Sequence, residues 1–178
     1  MFNIFHRLNV VIEKKLFGMM SNSYRIKRLR KLGVKIGEGC IILNKSFSTE
    51  PYLIEIGDHV GISSGVNFIT HDGGVWSYRH KYPHMDNFGR IKIGSNTFIG
   101  INSIILPNTE IGENCIVGAG AVVRGKIPDN SVIMGNPAKV IMKSSFLETL
   151  YVYNKNTLQI KNHSAEEKKK LLIEHFKL

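Results

Sequence analysis

The sequence predicts an all-β protein, a parallel β-helix wound from six-residue repeats, and three observations predict it. An aliphatic residue returns every sixth position, small residues return at fixed places between them, and one stretch of about twenty residues breaks the rhythm. From Ile93 the chain reads "IGSNTF", "IGINSI", "ILPNTE", "IGENCI", "VGAGAV", "VRGKIP": Ile or Val always first, a small residue fifth until the last, glycine second in four of six. "IGEGCI" from Ile36 and "IGDHVG", "ISSGVN", "FITHDG" from Ile56 keep the same period, and fifteen of the seventeen glycines fall between residues 36 and 138. Six is not a multiple of 3.6, and simple alternation does not call for glycine at fixed corners. A short strand followed by a tight turn explains the pattern, with the aliphatic residue inward and glycine where a Cβ would obstruct. Such units bury their apolar faces only by stacking on each other.

The elements follow in chain order. Residues 1–33 form a basic amino-terminal helical segment, 34–143 the repeat domain, and 144–178 a helical tail. The opening twenty residues have no small-residue cleavage site, and Glu13, Lys14 and Lys15 interrupt their apolar run, so neither a secretory leader nor a spanning helix is expected. A helix packed on its own domain is the plain expectation there, with a membrane-surface helix as the alternative. With three hexads to a turn, coils begin near Ile36, Ile56, Ile93 and Ile111. Cys40 and Cys115 then stand three coils apart, about 14 Å at the usual strand spacing, too far for a disulfide, and both are read as core fillers. The coil from Ile56 ends at about Gly73, so residues of about 72–90 leave the prism as a loop, and loops of that length are uncommon unless they carry function. In the tail, "SFLE" at Ser145 and "SAEE" at Ser164 are capping boxes, each opening a short α-helix. The tail helices and "YRIKRLRKLG" are expected to cover the open ends of the prism.

Charge divides along the same lines. Residues 1–35 hold nine Lys and Arg against one acid, 36–138 hold seven against nine, and 139–178 hold eight against four, for a net +10 overall. Basic ends around a slightly acidic body point to anionic surroundings, including contact with an anionic membrane surface, rather than to a basic core domain. No nucleic-acid partner is expected. A cytoplasmic location, at its membrane-facing edge where the basic ends matter, is the expectation from two unpaired cysteines and no leader.

The repeats, the loop extruded after "ITHD" and the closing "IPDNSVIMGNPAKVI" together resemble the hexapeptide-repeat acyltransferases, over about residues 34–143. The likeness is to the galactoside, maltose and xenobiotic acetyltransferase branch, and "EPYLIEIGDHVGISSGVNFITHDGGVW" is similar to the sugar O-acetyltransferases of surface polysaccharides. The resemblance implies a left-handed winding, against the general preference for right-handed crossovers. It also implies a homotrimer with active sites between subunits, acetyl-CoA as donor, and a sugar or polysaccharide precursor as acceptor. In the family a histidine at the loop root is the base, and His71 matches it. Its second ring nitrogen needs a partner to fix the tautomer; Asp72, Asp86, Glu50 or a backbone carbonyl could serve. Asn44 matches a family asparagine on the acceptor, Asp72 beside the base is a further acceptor candidate, and Trp76, Tyr78 and Tyr82 could either offer flat faces to a sugar ring or anchor the loop. The family's coenzyme groove maps to Gly100, Ile101, Gly118 and Ala119. Where the family has a threonine–lysine pair for phosphate, this chain has Arg124 and Gly125, so Arg124, Lys126, Lys139 or Lys143 could supply that charge.

Three further readings compete. N-acetylation of a nucleotide-linked amino sugar would use the same base and donor site. A γ-type carbonic anhydrase would need three histidines on zinc, and His59 and His71 stand about one coil apart, but a third ligand has no regular place. His80 and His84 would suit a metal only on a helix, and their segment does not read as helix, so no metal is expected. A non-catalytic scaffold would have no use for the loop.

Overall fold

The structure, a computed structural model, describes residues 21–178. The segment before them, read above as the start of the basic helical region, lies outside the described residues. The chain divides into two compact units, one ending at Ser145 and the other spanning Phe146–Leu178.

The first unit is a three-faced stack of parallel strands. Lys35–Ile36, Ile54–Ile56, Ile91–Ile93, Thr109–Ile111 and Lys126–Ile127 make the first face. Ile41–Ile42, Gly61–Ile62, Phe98–Ile99, Ile116–Val117 and Ser131–Gly135 make the second, and Asn67–Phe68, Ile104–Ile105 and Val122–Val123 the third. The register is the one the hexads require. Ile36 pairs with Ile56, Ile56 with Ile93, Ile93 with Ile111 and Ile111 with Ile127. First-place residues such as Ile62, Ile93, Ile99, Ile105, Ile111 and Val117 are fully buried and form the core along the axis. Face one re-enters at Ile91, two residues ahead of the expected Ile93.

The small fifth place has a specific use. Thr97, Ser103 and Thr109 are buried there, and their hydroxyls donate to corner carbonyls: Thr97 to Gly112 at 3.0 Å, Ser103 to Gly118 at 3.0 Å and Thr109 to Leu106 at 2.6 Å. A tight corner leaves carbonyls without strand partners, and a buried acceptor must be satisfied. Cys40 and Cys115 occupy the same place, buried and unpaired, and burial pushes the Cys115 thiol above its ordinary pKa.

Helix α1, Asn22–Lys31, covers the first coil as expected. Its Leu29 joins the core. The Asn22 amide donates to the Cys40 carbonyl at 2.7 Å and accepts from the Ile42 amide at 2.8 Å, imitating the strand that face two lacks on that side. Arg30 donates to the carbonyls of Ile36 and Gly37, doing the same for face one. At the other end, Ala138–Lys143 folds back antiparallel on Ser131–Gly135 and closes face two. Free sheet edges invite pairing with other chains, and these devices occupy the first edges of faces one and two and the last edge of face two.

The second unit carries the tail. Helix α2, Ser144–Tyr153, begins two residues ahead of the expected Phe146 and takes Ser145 into its first turn, so Ser145 is a helical residue rather than the expected N-cap. Helix α3, Ala165–Phe176, has both halves of the capping box at Ser164 and Glu167, as the sequence indicates. Among the described residues no helix is long and apolar enough to cross a membrane.

Candidate active site

Three corners join the faces, and the loop leaves at the corner between faces three and one. At most corners the fourth-place residue turns in the left-handed region: Gly39, His59, Gly65, Asn96, Asn102, Asn108, Asn114, Gly120 and Asn130. His71 occupies a fourth place but does not turn. It bridges Phe88 instead, and the amides of Asp72 and Gly89 bond the carbonyls of Asn87 and Thr70 at 2.8 and 2.7 Å. The outgoing and returning limbs are thus pinned together at the root. Gly89 is required where the chain returns, because a Cβ there would lie 2.5 Å from the Asn108 amide.

Beyond the root, Asp72 accepts from the Gly74 amide at 2.9 Å and starts a turn of 3₁₀-helix, Gly73–Tyr78. Arg79 then reaches back to Asp86 at 2.5 Å and lies 6.0 Å from the Trp76 ring centre, tying the limbs a second time. These residues enclose a cavity of about 510 Å³ lined by Glu50, His71, Asp72, Trp76, Arg79 and Phe88, among others. A larger hollow of about 740 Å³ lies between α1 and the first coil, but among the described residues no histidine lines it, and the carboxylate there, Glu38, is tied to Arg30.

The structure chooses among the partners left open for His71. Asp72 is occupied with its turn and Asp86 with Arg79, whereas Glu50 Oε2 lies 3.0 Å from His71 Nδ1. Thr49 donates to Glu50 Oε1 at 2.7 Å, and the Thr70 hydroxyl lies 2.7 Å from Oε2. Those hydroxyls, chiefly Thr70 and then Thr49, hold the Glu50 carboxyl at about 2, well below its ordinary 4.5. A carboxylate that stays ionised can only accept, so Nδ1 of a neutral His71 carries the hydrogen and Nε2 carries the lone pair. Nε2 has no hydrogen-bond partner among the described residues. The side chain of Glu50 is 16% exposed and that of His71 45%, so the imidazole is reachable while its partner is shielded.

The remaining sequence candidates separate. Asp72 and Trp76 line the His71 cavity; Tyr82 is exposed on the loop outside that lining. Asn44 is buried and donates to the Ser46 carbonyl at 2.6 Å, away from the lining. Gly100, Ile101, Gly118 and Ala119 cluster at the corner between faces two and three, where a Cβ on Gly100 would come within 2.6 Å of the Ala119 amide. Arg124 follows face three on the same corner column as the loop root. Lys139 and Lys143 are exposed on the closing hairpin strand. Within one chain His71 and the small-residue corner therefore lie on different edges of the prism. His59 is 3.1 Å from Asn96 at the corner between faces one and two, a different edge from His71. Among the described residues no cluster of three or more His, Cys, Asp or Glu side chains is arranged to hold a metal.

Known proteins share this architecture. A family model described as bacterial transferase hexapeptide (six repeats) matches residues 90–125. Protein CapG of Staphylococcus aureus is 51% identical over 168 residues, an alignment spanning 92% of this chain and 96% of that one. WbbJ of Escherichia coli K12, described as a lipopolysaccharide biosynthesis O-acetyl transferase, is 33% identical over 124 residues, 60% of this chain and 62% of its own. A crystal structure of a maltose O-acetyltransferase from Clostridium difficile 630 superposes with a TM-score of 0.54 at 26% identity, covering 73% of this chain and 81% of that one. With the hexad register, the pinned loop and these likenesses together, the chain belongs to the bacterial hexapeptide-repeat transferases and is an enzyme of their acetyltransferase class.

Proposed function

We propose that the protein transfers an acetyl group from acetyl-CoA to a hydroxyl of a sugar in a surface polysaccharide or its precursor, with His71 as general base. The observation that carries this reading is the Glu50–His71 pair at the mouth of the loop cavity. A sugar hydroxyl is a poor nucleophile near neutral pH. Nε2 of His71 removes its proton as the oxygen attacks the thioester carbonyl. The imidazolium that forms sits against an ionised Glu50, which stabilises it without taking the proton. The departing thiolate of the coenzyme then recovers a proton from the imidazolium as the tetrahedral intermediate collapses. A backbone N–H at a coil corner meets the oxyanion.

Two features support a site shared between copies of the chain in a left-handed homotrimer. The coenzyme candidates Gly100, Ile101, Gly118 and Ala119 stand on a different edge from His71, so a neighbour is needed to bring a donor to the base. The outward residues of the faces also differ. Face one presents Lys35, Glu55, Lys92, Glu110 and Lys126 in one cross-strand row of alternating charge. Face two presents Ile41 and Phe98, both about half exposed, beside exposed Leu43 and Ile101. Apolar surface of that kind suits a second copy, and charged surface suits water. Arg124, Lys139 and Lys143 supply positive charge for the coenzyme phosphates. The sugar class is favoured by the likeness to the maltose and lipopolysaccharide enzymes. Work on a cytoplasmic precursor, near an anionic membrane surface, fits the basic residues of α1.

The test is acetyl-CoA consumption against a panel of free sugars, nucleotide sugars and capsule-type oligosaccharides, with mass spectrometry locating the new acetyl group. An ester on a sugar hydroxyl is the expected product. Transfer only to amines would replace O-acetylation by N-acetylation, and no transfer to any sugar would sink the reading.

A further inference from the structure

The chain is strongly basic, yet the cavity over His71 is not. Three carboxylates, those of Glu50, Asp72 and Asp86, face a single guanidinium, that of Arg79, among its lining residues. Arg79 is committed to Asp86, so that pair is nearly neutral seen from the cavity. Glu50 and Asp72 are left. Glu50 is neutralised only after His71 has taken a proton, so it is an uncompensated charge while the acceptor is binding. Asp72 uses one oxygen on the Gly74 amide, and its other oxygen has no hydrogen-bond partner among the described residues. Among the described residues no lysine lines the cavity.

From this charge balance we propose that the cavity selects acceptors whose reacting sugar is uncharged or cationic and turns away uronic acids and other anionic sugars, with Asp72 as the side chain that selects. The inference rests on reading the cavity as the acceptor site, and it adds the acceptor's charge class. Two like charges a few ångströms apart, in a cleft with partial access to water, repel enough to lower binding by about tenfold. Any phosphate a sugar carries must then point out of the cavity, away from Asp72. The flat face for a neutral ring is Trp76, which lines the same cavity and is 76% exposed.

Trp76 is also the sole tryptophan, so its fluorescence reports on this cavity alone. Quenching by iodide and by caesium, at low ionic strength and relative to free N-acetyltryptophanamide, reads the sign of the local field. The net charge of +10 by itself would favour iodide. The proposal expects the reverse: an iodide-to-caesium quenching ratio several-fold below that of the free amide. Asp72→Asn, whose amide oxygen can still accept the Gly74 N–H, should raise the ratio towards the reference. In the kinetic arm, each hexose of an acceptor panel is compared with its uronic acid. The hexose should be favoured about tenfold in kcat/KM, the gap narrowing with added salt and in Asp72→Asn. Iodide quenching at or above the reference, an Asp72→Asn ratio that does not move, or uronates accepted as well as hexoses overturns the proposal. Quenching needs no turnover. Failure of acetyl transfer to every sugar counts against the proposed function, whereas fast transfer to uronates overturns the charge selection alone.

Discussion

At the scale of single residues, the hydroxyls of Thr49 and Thr70 and the ring of His71 converge on one carboxylate, Glu50. That convergence fixes the imidazole tautomer, so Glu50 is a positioning residue. Replacing it by Gln lets an amide N–H face Nδ1 and favours the wrong tautomer. Glu50→Gln should cut kcat by about 10–100-fold with little change in KM, measured by steady-state acetyl transfer. The same carboxylate couples folding to pH. Its pKa falls from 4.5 to about 2 in the folded chain, so its contribution to stability is present above 4.5 and is lost as pH falls towards 2. Urea midpoints of the wild type and Glu50→Gln should differ most above pH 4.5 and converge below it; a constant gap would contradict this. His71 is legible in the sequence because the hexads stop beside it. Its partner is not, because Glu50 sits on the preceding coil, and sequence order does not reveal which side chains meet across stacked coils. Asp72, adjacent in sequence, is turned away by the 3₁₀ turn that it caps.

At the scale of elements, the hexad is a corner device as much as a strand device. Glycine at the second place serves close stacking: a Cβ on Gly94 would sit 2.5 Å from the Gly112 carbonyl carbon of the next coil. Gly94→Ala should therefore destabilise by about 1–3 kcal/mol. Gly73→Ala, where nothing lies within 4 Å, should stay within about 0.5 kcal/mol in the same denaturation assay. The left-handed turn belongs to the fourth place, where Asn96, Asn102, Asn108, Asn114 and Asn130 recur. Asparagine tolerates that conformation and a β-branched residue does not. Asn114→Val should cost about 1–2 kcal/mol and Asn114→Gly much less. From Asn96 to Asn114 these asparagines repeat every six residues, a second signal beside the aliphatic one. It escapes a reading that looks for glycine at turns, although the strands, their order and the loop are all legible from the first and fifth places. The start of α2 is less legible, because Ser144 and Ser145 are both credible helix starts and a capping pattern does not choose between neighbours.

At the scale of the whole molecule, the three faces have different outward chemistry, and the candidate site residues are dealt to different edges. Hexad counting assigns inward residues well because burial imposes their period; outward residues answer to a partner or to water, so their pattern carries no repeat to read. If face two meets a second copy, light scattering should give a trimer, and Phe98→Asp should dissociate it while a charge swap at Lys92 does not. A monomer at micromolar concentration would remove the shared-site reading. The account stands most heavily on His71 as the group that activates the acceptor. The direct measurement is the acetyl-transfer rate of His71→Ala under saturating acetyl-CoA, alongside circular dichroism and a thermal melt to establish that the fold persists. A loss of at least about 10²–10⁴-fold with an unchanged spectrum is predicted; a folded His71→Ala enzyme that transfers acetyl at the wild-type rate would contradict the mechanism.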